Sequence, residues 1–124
     1  MKIVNESRDF DKVDKYLMTA GKGAVSMKDV EDGTSIPVAG YLEFVDEKDD
    51  GTESEILAII TESRGQVYST QSKTFKRSLM EILEVMGEEP FAIKKISGIT
   101  KAGRPYVDCE LDTDSVKTEK PKKK

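Results

Sequence analysis

The fold of this chain is decided by residues 66–111, whose sequence is QVYSTQSKTFKRSLMEILEVMGEEPFAIKKISGITKAGRPYVDCEL. The run 67–70 is rich in β-forming residues, and Ser72 then supplies a side-chain oxygen suited to a helix N-cap. Apolar residues at positions 75, 79, 82, 83 and 86 have the spacing of one helical face, and Gly87 ends this predicted helix. Two extended runs at 91–99 and 104–111 follow, and residues 100–103 join them as a hairpin.

Two further strands precede this region and form a meander with the run 67–70. Residues 34–46 alternate apolar and polar side chains, as a long half-buried strand does. Within it, Pro37 favours an edge or strand-entry position, and Gly40 indicates a bulge or a sharp bend. Residues 55–61 form the return strand, which is almost continuously apolar and is therefore predicted to be central. The acidic loop 47–53 joins the two strands.

The predicted order is thus β-β-β-α-β-β, which is the order of the OB-fold, a five-stranded Greek-key barrel. We expect a mainly β protein, a β-barrel with one helix, whose ligand face is formed by its second and third strands and adjoining loops. A two-layer α+β sandwich is the main alternative. The expected domain covers residues 25–111. Residues 1–24 form a polar segment with a short predicted helix between 9 and 19, and residues 112–124 are expected to be a disordered lysine-rich tail.

The composition argues against an enzyme. The chain has no histidine, which removes the commonest general base and the commonest metal ligand. Its single cysteine, Cys109, excludes a zinc site of the usual four-ligand kind and has the strand pattern of a small buried hydrophobe. We therefore predict no catalytic residue, no metal and no cofactor.

The sequence also predicts a cytoplasmic protein with no membrane partner. No apolar run approaches the ~20 residues that a membrane span needs. The first residues lack the apolar region of a signal peptide. One cysteine cannot form an internal disulfide, which fits a reducing compartment.

Charge is unevenly distributed along the chain. Residues 29–62 contain eleven acidic side chains against Lys48 alone, a balance of −10. Residues 64–106 contain eight basic and four acidic side chains, a balance of +4. This distribution predicts a basic patch on an acidic body, although runs of charge are also typical of an ordinary solvated surface.

The start of the predicted helix is the first candidate for chemistry. Lys73, Lys76 and Arg77 lie in its first turns, where positive charge opposes the helix macrodipole. One interpretation is a surface helix with an Arg77–Glu81 pair. The functional interpretation is that this basic end faces a phosphate backbone.

The loop of the last hairpin is the second candidate. Lys101 and Arg104 place two cations on or beside it, and Tyr106 follows on the next strand. Phosphates pair with Lys and Arg while bases stack on tyrosine, so such a loop can hold a single strand without recognising its sequence. The alternative is an ordinary exposed hairpin. The glycine spacing is not that of a phosphate-binding loop, because the Gly-Lys-Ser/Thr ending and the helix after it are missing.

Three tyrosines on separate predicted strands complete the candidate site. An exposed tyrosine on a sheet is often only a cross-strand packing partner, whereas three beside cations are what a stacking platform needs. The predicted nucleic-acid-binding residues are Tyr41, Tyr68, Lys73, Lys76, Arg77, Lys94, Lys101, Arg104 and Tyr106.

Three segments carry a family resemblance: DGT at 32–34, GQVYSTQSKTF at 65–75, and KAGRPY at 101–106 after Gly98. Over about residues 25–111 the chain resembles the small single-stranded DNA-binding proteins of tailed bacteriophages of Gram-positive hosts, including the protein-primed replication group. The resemblance implies an OB-type replication protein of the host cytoplasm that coats displaced strands, with single-stranded DNA and replication proteins as partners. Many single-stranded DNA-binding proteins end in an acidic tip that recruits partners, whereas this sequence ends KPKKK and departs from that pattern.

Two other classes of function stay open. One is a small phage or prophage structural or assembly protein that uses an OB-like barrel for protein contacts, with the acidic half as its interaction surface. The other is an enzyme with paired carboxylates, such as Asp49–Asp50 or Glu88–Glu89. Adjacent acids on loops with no fixed partner rarely form a catalytic pair, because a carboxylate needs burial or neighbours to shift its pKa.

Overall fold

The computed structural model describes residues 1–116, which form eight strands and two α-helices. In chain order these are β1 (Lys2–Glu6), α1 (Lys12–Thr19), β2 (Val25–Ser26), β3 (Ser35–Pro37), β4 (Gly40–Glu47), β5 (Glu53–Ile60), β6 (Val67–Thr70), α2 (Lys73–Met86), β7 (Ala92–Ile99) and β8 (Pro105–Leu111). Short 3-10 turns lie at Met27–Asp29 and Thr113–Ser115. Strand residues (39%) outnumber helical residues (24%), which confirms the predicted mainly β class.

The strands form two sheets that one bent segment joins. The five-stranded sheet has the order β1-β4-β5-β6-β2, and the three-stranded sheet has the order β3-β7-β8. Among the strand pairs of residues 1–116, only the short β2–β6 pair is parallel. The chain changes sheets between β3 and β4: the N–H of Val38 donates to the carbonyl of Phe91, and the N–H of Ala39 donates to that of Ile60. The long strand predicted over 34–46 therefore contributes to both sheets.

The bend falls just before Gly40, where the sequence predicts a bulge or a bend. A Cβ at Gly40 would lie 2.6 Å from Cζ of Phe10 and 3.1 Å from Oγ of Ser7. The backbone of β4 therefore approaches Phe10 too closely for any side chain. This contact lets the N-terminal segment pack across the five-stranded sheet.

Two apolar clusters lie on opposite faces of the five-stranded sheet. The inner cluster is shared with α2 and the three-stranded sheet, and its buried members are Met27, Ile36, Leu57, Ile59, Phe75, Leu79, Phe91, Ile93 and Cys109. The outer cluster consists of Phe10, Met18, Leu42, Phe44, Ala58, Ile60 and Val67. Because β5 contributes to both clusters, its second half, residues 57–60, is buried on both faces, as its continuous apolar sequence predicts.

Helix α2 begins and ends where the sequence predicts. The Oγ of Ser72 accepts a 3.0 Å hydrogen bond from the N–H of Phe75, which is the expected N-cap. Gly87 ends the helix with a φ of 63°, a conformation that glycine adopts without strain. Phe75 and Leu79 are fully buried in the inner cluster, which confirms the predicted apolar face.

The helix covers the edge of β8 that does not pair with β7. The Oγ of Ser72 donates to the carbonyl of Val107 at 2.7 Å, and the Oγ of Ser78 donates to Oδ1 of Asp108 at 2.6 Å. The Sγ of Cys109 lies 3.8 Å from the carbonyl oxygen of Phe75. The first half of α2 is therefore held against β8.

The N-terminal segment is an integral part of this structure. Strand β1 pairs with β4, and the N-cap of α1 is Asp11, whose side chain accepts a hydrogen bond from the N–H of Asp14. Phe10 and Met18 are buried and cover the outer face of the sheet. The short helix predicted between 9 and 19 is present as α1, so both helices were expected. Residues 1–116 form eight strands instead of the expected five, because β1 and β2 are added and the predicted long strand divides into β3 and β4.

The folded part also extends beyond Leu111, the predicted end of the domain. The buried carboxylate of Asp112 accepts a 2.6 Å hydrogen bond from Oγ of Ser35, and Oγ of Ser115 accepts from the N–H of Ala92. These bonds hold residues 112–116 against the start of β7, so the predicted disordered tail does not include them. The rest of that tail, residues 117–124, lies outside the described residues.

Candidate functional site

The tip of the β7–β8 hairpin presents two exposed cations. A tight turn joins the strands: the N–H of Thr100 donates to the carbonyl of Arg104, and the N–H of Arg104 donates to Oγ1 of Thr100. Gly103 occupies the left-handed conformation with a φ of 86°, which this turn requires. Lys101 and Arg104 are exposed, and neither has an ion pair within residues 1–116. Both charges are therefore available to a ligand.

Tyr106 lies beside this tip on the first part of β8. It pairs across the hairpin with Gly98, and the outer end of its ring lies over that glycine. The side chain keeps 37% of its surface exposed. An aromatic ring that is supported on one side and exposed on the other is a suitable surface for a stacked base.

The start of α2 belongs to the same end of the molecule as Tyr106. The hydrogen bond from Ser72 to the carbonyl of Val107 fixes the helix start next to the residue that follows Tyr106. Lys73 and Arg77 are exposed, and neither has an ion pair in the part of the chain that the structure describes. The structure therefore places the start of α2, with its predicted cations, beside the strand that leads from the hairpin tip. We call Lys73, Arg77, Lys101, Arg104 and Tyr106 the basic end.

Lys76 differs from its neighbours on α2. Its ammonium group lies 2.9 Å from a carboxylate oxygen of Glu43 on β4. The hydrogen bond to Glu43 raises the pKa of Lys76. Its charge is thus already paired within the protein, which makes it a weaker candidate for a phosphate contact than Lys73 or Arg77.

A cavity of about 200 Å³ separates the start of α2 from the ends of β4, β5 and β6. Val45 and Leu57 give it an apolar wall, while Lys73, Glu43 and Glu55 are among its charged lining residues. With both signs of charge present, the cavity does not by itself favour an anion. It borders the basic end without adding to its positive charge.

Lys94 lies away from the basic end. It is half-buried on β7, where it pairs with Ser35 on one side and Glu110 on the other. Five residues of strand separate it from Ile99 at the hairpin tip, which is roughly 16 Å at the usual rise of a β-strand. Lys94 therefore does not join the predicted cluster.

Tyr41 and Tyr68 also lie apart from Tyr106. Both flank Ile59 in one row across the five-stranded sheet, on the face of the inner cluster, and both are half-buried against that cluster. The hydroxyl of Tyr41 accepts a 3.4 Å hydrogen bond from Asn5. The three tyrosines therefore do not form the predicted common platform, because two of them serve as packing partners.

A buried lysine was not singled out by the sequence pattern. Lys95 is only 4% exposed, and its ammonium group contacts Asp32 at 3.0 Å and the carbonyl of Val30 at 2.7 Å. Hydrogen bonds from Ser97 and then from Lys95 lower the pKa of Asp32. These contacts hold the turn that precedes β3 against strand β7. The DGT segment at 32–34 was the only local signal near this site.

The hairpin between β4 and β5 forms an acidic counterpart to the basic end. Glu47 pairs directly with Glu53, and Asp50 lies in the turn, where hydrogen bonds from Thr52 lower its pKa. Like charges placed opposite each other across a hairpin repel. This acidic hairpin would also repel a phosphate backbone, so it limits where a strand can lie.

Other chemistries have little support among residues 1–116. Burial raises the pKa of the Cys109 thiol to about 12, so it is a poor nucleophile. No group of three or more Cys, Asp or Glu side chains in this range is arranged to hold a metal ion. Neither helix in this range is long and apolar enough to cross a bilayer.

Comparison of the chain with protein-family models, with curated proteins and with solved structures finds no match in any of the three. The site must therefore be interpreted from its own geometry. That geometry consists of four exposed cations and one supported, exposed aromatic ring on the β7–β8 hairpin and the first turns of α2, which a hydrogen bond from Ser72 to Val107 joins.

Proposed function

We propose that this protein binds single-stranded DNA without sequence specificity through the basic end. The observation that carries the proposal is the hydrogen bond between Ser72 and Val107. It ties the cationic start of α2 to the strand that bears Tyr106, so two segments that are distant in the sequence adjoin. Sequence-independent binding of a single strand needs this combination of phosphate contacts and a stacking surface.

The basic end offers no means of recognising a base sequence. Lys and Arg side chains contact phosphate oxygens, which are the same at every nucleotide. A tyrosine ring accepts any base, because every base has a π face. Affinity should therefore depend strongly on salt and weakly on sequence.

We further propose that the architecture is an OB-fold with additions at its N-terminus. In this assignment β3 and β4 form the bent first strand, followed by β5, β6, α2, β7 and β8 in the OB order. The pairing of the bent segment with both β5 and β7 supports it. No ladder joins β6 and β8 within residues 1–116, and the Ser72–Val107 hydrogen bond connects the chain at that position.

The usual OB ligand face is not free in this protein. It would be the outer face of β5 and β6, where Ala58, Ile60 and Val67 are buried under Phe10 and Met18. A bound strand would therefore contact the loop between β7 and β8 and the start of α2 instead. The proposed site therefore lies at the basic end and not in the middle of the sheet.

The biological role we propose, coating displaced strands during phage DNA replication, rests on the sequence segments that resemble the phage proteins. Two of them lie at the basic end: residues 65–75 contain Ser72 and Lys73, and residues 101–106 contain the hairpin cations and Tyr106. Coating requires binding without sequence preference, which the chemistry of this end provides.

A second candidate function is that of a phage structural or assembly protein. The observation in its favour is the covered OB face together with the acidic hairpin, which offers a charged surface for a basic protein partner. Such a protein would bind neither single-stranded nor double-stranded DNA with measurable affinity at moderate salt. A single titration with DNA therefore distinguishes the two functions.

That titration is fluorescence anisotropy with labelled oligo-dT and with a duplex of the same length, each at low and at moderate salt. We expect tighter binding to oligo-dT than to the duplex, because only an unpaired base can stack on Tyr106. We also expect affinity to fall as salt rises. Equal binding to both DNAs, or no binding to either, would contradict the proposed function.

A further inference from the structure

The contact between Tyr106 and Gly98 has a geometry that only glycine allows. A Cβ built on Gly98 would lie 2.3 Å from the hydroxyl oxygen of Tyr106, 2.4 Å from Cζ and 2.8 Å from Cε2. The outer end of the ring thus occupies the space that a side chain at position 98 would fill. Any other residue at this position must displace the ring.

The ring therefore lies across β7 and does not stand away from the sheet. Gly98 and Tyr106 are directly paired across the hairpin, so their side-chain directions share one face of the ribbon. The outer end of the ring lies against Gly98 while 37% of the residue stays exposed, so the ring is covered there and open to solvent elsewhere. A ring in this orientation can accept one base, on one side only.

We propose that Gly98 is a positioning residue that holds the ring of Tyr106 flat, so that one base of a single strand stacks on its outer face. This inference rests on the proposed function and adds to it a residue that itself contacts no ligand. Lys101 and Arg104, on the turn that follows Gly98, would then hold the phosphates on either side of that base.

Substitution of Gly98 separates this role from a structural one. The backbone of Gly98 does not have a positive φ, so alanine meets no backbone strain there. The atoms it would displace are the far end of an exposed side chain, which can rotate away at little cost. In a strand, alanine also restricts the unfolded chain more than glycine does. Gly98→Ala should therefore fold with a Tm no lower than that of the parent chain while binding DNA more weakly.

The experiment measures the affinity of each variant for two probes of equal length, oligo-dT and an abasic deoxyribose-phosphate strand. The ratio of the two dissociation constants reports stacking alone, because both strands carry the same phosphates. For the parent chain we expect oligo-dT to bind roughly 5- to 100-fold more tightly. In Gly98→Ala and in Tyr106→Ala this preference should fall towards onefold. Tyr106→Phe should keep the preference, because stacking needs the ring and not the hydroxyl.

Gly23→Ala is the matched control, because Gly23 also lacks a positive φ and a Cβ there would contact nothing within 4 Å. It should behave like the parent chain. If the parent chain and Gly98→Ala prefer oligo-dT equally, the inference is overturned while the proposed function stands. A large fall in Tm for Gly98→Ala would also overturn it, because it would show that the new methyl group distorts the backbone and does not displace the ring of Tyr106. If the parent chain binds neither strand, the proposed function fails and the inference fails with it.

Discussion

Replacing Ser72 by alanine should destabilise the protein, because the Ser72 hydroxyl makes two hydrogen bonds at the start of α2. Ser72 Oγ accepts a hydrogen bond from the N–H of Phe75 and donates one to the carbonyl of Val107. Loss of an N-cap costs about 1 kcal/mol. A half-buried carbonyl left without its donor adds roughly 1 kcal/mol. The expected loss of unfolding free energy is therefore about 2 kcal/mol, or a fall in Tm of about 6–12 °C for a chain of this size.

Two variants separate the parts of this effect in urea and thermal unfolding. Ser72→Asp keeps a capping acceptor but has no proton to donate to Val107, so it should recover about half of the lost stability. Thr74→Ala is the control, because Thr74 is exposed in the first turn of the same helix and makes no side-chain hydrogen bond within residues 1–116. If the free energies of unfolding of Ser72→Ala and Thr74→Ala agree within about 0.5 kcal/mol, the size of a typical surface substitution, the two hydrogen bonds of Ser72 contribute little to stability.

Three further predictions concern titratable groups. The pKa of Asp32 is lower in the folded protein than its unfolded value of 3.8, so the stability that this carboxylate contributes is present above pH 3.8 and is lost as pH falls further. Asp32→Asn should therefore flatten the decline of Tm below about pH 4. The Cys109 thiol, with its pKa raised to about 12, should react with a thiol reagent at pH 8 only after denaturation; rapid reaction of the native protein would show that it is not buried. Lys76→Ala should leave the salt dependence of oligo-dT binding unchanged, because Glu43 already pairs with that charge; a flatter salt dependence would show that Lys76 contacts DNA.

The sequence was most informative where its signals are local. The start of α2 follows from a capping serine, its end from a glycine, and its buried face from apolar residues at helical spacing, all between Ser72 and Gly87. The hairpin 91–111 was equally clear, because a loop containing Gly103 separates two extended runs. Each of these predictions depends on neighbours along the chain, which the sequence shows directly.

Long-range contacts were not visible in the same way. Period-two alternation places Tyr41 and Tyr68 on one face of a sheet but does not reveal that both faces are covered. The cover on the outer face comes from Phe10 and Met18, two apolar side chains in a polar segment, which periodicity cannot assign to a core.

The same limit applies to charged residues. Lys76 is paired with a glutamate more than thirty positions away, and Lys95 with an aspartate more than sixty positions away. From the sequence, both lysines look as available to a ligand as Lys73 does. Only the folded structure distinguishes charges that are satisfied internally from those that face solvent.

The most direct test of the account is the salt dependence of oligo-dT binding in single alanine variants of the basic end. Lys73, Arg77, Lys101 and Arg104 are each changed, and Lys94→Ala serves as the control because Lys94 lies elsewhere on β7. The slope of log K against log salt should flatten by up to ~0.7 for each basic-end variant, the value for one lost phosphate contact with a single strand, and should not change for Lys94→Ala. If the four variants keep the parent's slope, or if Lys94→Ala flattens it as much as they do, the basic end is not where DNA binds.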